Sequence, residues 1–129
     1  MADDPGDLRT PLRQVHFLGS ARFGTAEAWL VHLTSVALVP LSLCFVWLLL
    51  DLLHKDYNGV RATIGRPVPA ILLLAFILTG VVHMELGIRS VILDYVAGPP
   101  RAWALTANAC FCALIGLACV YATLRVGFT

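Results

Sequence analysis

Thr79-Gly80-Val81-Val82-His83-Met84-Glu85-Leu86-Gly87-Ile88-Arg89-Ser90-Val91-Ile92-Leu93-Asp94-Tyr95-Val96 starts inside an apolar run and ends in water-seeking residues. Read as a helix at about 100° per residue, it sets Gly87, Ser90 and Asp94 within roughly 40° of the azimuth of His83, with Gly80 about 60° away. One face therefore carries an imidazole, two glycines, a hydroxyl and a carboxylate.

An imidazole with glycine one turn before it and one turn after it is a nitrogen ligand with its steric walls removed. A flat macrocycle standing against a helix requires that shape, and the geometry suggests haem. A histidine in a membrane helix also serves as an interhelical hydrogen-bonding residue, and glycine is frequent in such helices for close packing alone. The spacing leaves both roles open. In either role the histidine is a functional candidate, because an unpartnered polar group is costly in hydrocarbon.

The rest of the chain supplies the membrane. Its 129 residues are 59% hydrophobic and 13% charged, with a mean hydropathy of +0.83. That is too apolar for an ordinary soluble domain, and the chain reads as an all-α membrane protein. A net charge of +1 offers no basic face for nucleic acid. The opening Met1-Ala2-Asp3-Asp4-Pro5-Gly6-Asp7 is acidic where a secretory signal or transit peptide is basic, which favours a bacterial inner membrane or an organelle-encoded chain. Cys44, Cys110, Cys112 and Cys119 all lie in apolar runs, where thiols act as small hydrophobes and disulfides are not expected. There is no Cys-x-x-Cys-His for covalent haem attachment and no cysteine cluster for iron–sulfur ligation, so any haem is held noncovalently.

Three spans are expected, at about 29–50, 68–95 and 102–124, forming a transmembrane domain over 28–129 behind a surface arm of residues 1–27. The arm carries an apolar cluster, Val15, Phe17 and Leu18, suited either to docking a soluble partner or to resting in the interface. In the first span, Trp29 and Trp47 sit near the ends as interfacial anchors. Pro40 should kink the helix and free a carbonyl for nearby hydroxyls. His32, about one turn inside the membrane, reads as a hydrogen-bonding residue ahead of a ligand. Residues 51–69 read as a polar loop, with His54 solvated.

The second span opens on Pro67 to Ala70 and must continue past His83 to cross the bilayer. Glu85 and Arg89 then form an i,i+4 pair near the interface. Asp94 opposes the helix dipole by roughly 0.3–1 kcal/mol, so its presence asks for a reason. Gly98-Pro99-Pro100 ends the helix. The third span is a packing helix, with Ala109/Ala113 and Cys112/Gly116 as small pairs four apart. Three spans place five Lys/Arg on the N-terminal side against four on the other, a slight lean to a cytoplasmic N-terminus.

The order His83, Gly87, Asp94-Tyr95 at the polar exit of the second span resembles the small membrane-anchor subunit of succinate dehydrogenase, respiratory complex II. Leu18-Gly19-Ser20-Ala21-Arg22-Phe23-Gly24-Thr25, then Trp29 and Leu33-Thr34-Ser35-Val36-Ala37-Leu38-Val39-Pro40-Leu41, is similar to the bacterial form of that subunit. His32 departs from the arginine more often found at its place in that family, so no role of that arginine is carried over to it.

The resemblance implies a heterodimeric transmembrane bundle with His83 as one axial ligand of haem b and a second cytochrome b-type anchor subunit supplying the other. It implies that flavoprotein and iron–sulfur subunits bring FAD and the iron–sulfur clusters, with Asp94 and Tyr95 at the cytoplasmic face for ubiquinone. Tyr95 would donate its phenol to a quinone carbonyl, and Asp94 would orient a basic neighbour or relay protons. By composition alone, Tyr95 reads as an interfacial anchor and Asp94 as a solvated helix end. No catalytic residue for dehydrogenation is expected in this chain, which has no Gly-x-Gly-x-x-Gly after a strand. The alternatives are a fumarate reductase anchor using menaquinone and a small membrane bundle without redox chemistry.

Overall fold

The computed structural model describes residues 23–128. Within them the chain forms four helices, α1 Phe23–Leu52, α2 Tyr57–Ile64, α3 Pro67–Tyr95 and α4 Pro100–Phe128. Three are long and apolar enough to cross a bilayer, over Thr25–Leu52, Pro67–Tyr95 and Pro100–Gly127. The all-α class with three spans is thus the observed one. The apolar cluster Val15, Phe17 and Leu18 lies outside the described residues; the expected arm's end, from Phe23 onward, is part of α1.

α1 is continuous through Pro40. The hydroxyls around the proline do not serve the carbonyl it frees. Thr34, Ser35 and Ser42 bind the carbonyls of Leu30, Val31 and Leu38 instead, each a step back along its own helix.

Residues 51–69 are more ordered than a polar loop. Asp56 caps α2 by accepting the Gly59 amide at 3.0 Å, and the helix closes at Gly65. Lys55 pairs with Asp51 and also reaches Thr63 Oγ1 at 2.9 Å, tying the end of α1 to α2. α3 then starts on Pro67, where a missing amide costs nothing. It ends at Tyr95, and Gly98, at φ 78°, turns the chain into α4 in a conformation that a side chain would strain.

α3 packs on both α1 and α4, while α1 and α4 do not touch each other among the described residues. The two contacts differ in chemistry. Toward α1, Phe45 and Phe76 stack at 4.5 Å with their planes 12° apart. Toward α4, Gly116 lies so close that a Cβ there would meet Val81 Cγ1 at 3.3 Å. Asn108, Cys112 and Gly116, spaced by four, are buried in this seam, whereas Ala109 and Ala113 face outward. Of the two small pairs, only Cys112/Gly116 joins helices.

Candidate functional site

His83 is about 12 residues from the end of α3, and Thr34 about 11 residues from the start of α1. The two helices run antiparallel, so at about 1.5 Å per residue both side chains sit roughly 17 Å inside from the same end. They meet there: Thr34 Oγ1 and His83 Nδ1 are 3.0 Å apart. The same hydroxyl is 2.8 Å from the Leu30 carbonyl and 3.0 Å from that of Val31. His83 is half-buried, and no hydrogen bond reaches its Nε2 among the described residues. A Cβ added at Gly80 or at Gly87 would meet nothing within 4 Å. The glycines one turn either side of the imidazole therefore border open space instead of a packed helix.

His32 takes no hydrogen bond within the described residues. Its ring lies 6.1 Å from Trp29, tilted by 32°, on the exposed side of α1. Within the described residues its one contact of note is aromatic. Cys44, Cys110, Cys112 and Cys119 are free thiols. Among the described residues no group of three or more His, Cys, Asp or Glu side chains gathers as a metal site.

The ion pair near the exit of α3 is not the one that helical spacing predicts. Arg89 Nη2 reaches Glu27 Oε1 of α1 at 2.7 Å, not Glu85. A long guanidinium stem can cross to a neighbouring helix, and an antiparallel α1 brings a carboxylate to the same depth. What Glu85 contributes is its backbone carbonyl, which accepts Asn108 Nδ2 of α4 at 3.1 Å. Asn108 in turn accepts from Cys112 Sγ at 3.5 Å. Besides Glu27, Asn108 and Thr34 are the partners that the sequence reading does not find. Their one signal is a polar side chain in an otherwise apolar run, at a depth matching a polar group on α3.

Asp94 and Tyr95 stand at the last turn of α3, both exposed, Tyr95 at 85%. Neither has a partner among the described residues. About 11 residues of helix separate Asp94 from His83, a rise of roughly 16 Å. Clefts of about 470 and 610 Å³ lie at the other end of the molecule, one beside Trp47 and Arg66, the other beside Tyr57 and Tyr121. They are far from this constellation.

Fold and site together define a three-span integral membrane protein whose middle helix carries an imidazole at depth and an acid and a phenol at one surface. The model of the succinate dehydrogenase/fumarate reductase transmembrane subunit family matches residues 6–122. The succinate dehydrogenase hydrophobic membrane anchor subunit of Paracoccus denitrificans is 33% identical over 118 residues, which cover 92% of each chain. The protein of the same name from Rickettsia bellii (strain RML369-C) is 33% identical over 94 residues, 70% of this chain and 73% of that one. No solved structure matches. The chain belongs to the succinate dehydrogenase/fumarate reductase transmembrane subunit family, as a multi-pass membrane anchor of the complex.

Proposed function

We propose that this chain anchors succinate dehydrogenase in a bacterial inner membrane, N-terminus cytoplasmic, with His83 Nε2 as one axial ligand of haem b. A second cytochrome b-type anchor subunit supplies the other ligand, so that ligation helps join the two chains into one bundle. The iron–sulfur subunit and the flavoprotein, with their clusters and FAD, dock on the side that presents Glu27, Arg89 and Asp94-Tyr95.

The observation that carries this reading is the open face around His83. The imidazole keeps one ring nitrogen without a partner among the described residues, and the flanking glycines would let a planar ring lie against α3, since a Cβ added at either would meet no neighbouring side chain or helix within 4 Å. The residues present therefore fit the group. When bound, haem b supplies a one-electron carrier inside the membrane.

At the surface, ubiquinone that gains electrons and protons needs a donor to its carbonyl oxygen and a route for the protons. The Tyr95 phenol, exposed and not committed to another residue of the described chain, can donate that hydrogen bond from Oη. The Asp94 carboxylate, one residue earlier on the same turn, can accept a proton from water and hand it on. A role in moving protons would account for a carboxylate at a helix C-terminus, where the dipole disfavours it.

The test is a reduced-minus-oxidised spectrum of the purified complex carrying His83→Ala. Loss or displacement of the b-type bands is expected. A spectrum identical to that of the unaltered complex overturns the ligand assignment.

A further inference from the structure

The hydrogen bond between α1 and α3 has a direction, and the direction decides which nitrogen of His83 is free. The Thr34 hydroxyl has one proton. Ser35, Ser42, Thr106 and Thr123 all donate theirs to the carbonyl four residues back, at 2.7, 2.6, 3.0 and 2.8 Å. Thr34 stands in the same relation to Leu30 at 2.8 Å. With that proton given to the carbonyl, the oxygen can only accept from His83, and Nδ1 carries the hydrogen.

The opposite arrangement is worse on two counts. Turning the hydroxyl toward Nδ1 forfeits its bond to the carbonyl, leaving one hydrogen bond where there were two. It also moves the imidazole proton to Nε2, which has no acceptor among the described residues and lies at membrane depth, where an unsatisfied donor is costly.

We propose that Thr34 is a positioning residue for His83: from α1 it accepts the Nδ1 proton, fixes the tautomer and ring orientation, and leaves Nε2 as the lone-pair nitrogen. This rests on the reading of His83 as an iron ligand. Such a partner also raises the basicity of the ligating nitrogen, which favours the ferric state. It makes the α1–α3 contact part of the cofactor site, since the ligand stands on one helix and its restraint on the other.

The test uses the whole complex with Thr34→Val, Thr34→Ala and Thr34→Ser, beside His83→Ala, and reads haem retention on dilution and haem midpoint potential. Valine and alanine change the side-chain volume differently but both remove the acceptor. Both should weaken haem retention by about 10- to 100-fold and raise the midpoint potential. Serine, which keeps the hydroxyl, should stay close to the unaltered complex in both. If Thr34→Val perturbs assembly, Thr34→Ala decides. Unaltered potential and retention in the alanine complex, or a serine complex shifted as far as alanine, overturns the role of Thr34 while His83→Ala still loses its haem. A His83→Ala complex that keeps its native haem spectrum instead removes the reading beneath it.

Discussion

The two faces of α3 do different work. Against α4 it meets a seam of small residues, closed by Gly116 under Val81 and by Asn108 on the Glu85 carbonyl. Against α1 it meets side chains that carry protons or charge, Thr34 on His83 and Glu27 on Arg89, with the Phe45–Phe76 stack nearer α2. Close backbone approach leaves no room for a ligand, so the α4 seam fixes where α3 stands. The α1 contact, held by side chains, leaves His83 Nε2 without a hydrogen bond among the described residues. Close backbone approach and polar side-chain pairing thus fall on different sides of one helix.

The strongest way to break that division is Gly116→Leu. Its Cβ alone would stand 3.3 Å from Val81 Cγ1, and the rest of the side chain has to push the helices apart. A loss of about 1–3 kcal/mol is expected, read as a lower thermal midpoint of the complex. Asn108→Leu tests the polar part of the same seam. It removes the bond to the Glu85 carbonyl and should cost about 0.6–1.7 kcal/mol, measured in the same melt. On the other face, Glu27→Gln removes a half-exposed ion pair and should cost only about 0.2–1 kcal/mol. That difference should shrink as salt rises, whereas the Asn108→Leu loss should not.

Tyr95→Phe should leave the melting curve and the haem spectrum where they are while lowering quinone reduction. Full quinone reductase activity in that variant would remove the donor role from the phenol. A shifted melt would place Tyr95 in the packing instead, against its 85% exposure.

Much of this was open to reading along the chain. Uncharged runs long enough to cross hydrocarbon mark the spans, and Gly98-Pro99-Pro100 marks the turn after α3. The glycine-flanked histidine is legible because helical periodicity needs no tertiary knowledge. The pairing of Arg89 is not. Local spacing offers Glu85, and only the antiparallel neighbour brings Glu27 within 2.7 Å. Likewise Ala109/Ala113 and Cys112/Gly116 are equivalent as spacings, and α4's rotation alone decides that the second pair is buried. The short helix α2 escapes a reading by composition because one capping aspartate, Asp56, organises a stretch whose residues otherwise look like a loop.

Three membrane crossings, and an imidazole, an acid and a phenol along the middle helix, can be read from the order of residues alone. Both follow from energies that each residue incurs alone, the transfer of side chains into hydrocarbon and the fixed pitch of a helix. Which hydroxyl meets that imidazole, which carboxylate meets the arginine and which small residues touch emerge only from the packed helices. A hydrogen bond or close contact between helices depends on their relative rotation and depth, and those are settled only when all the side chains pack at once.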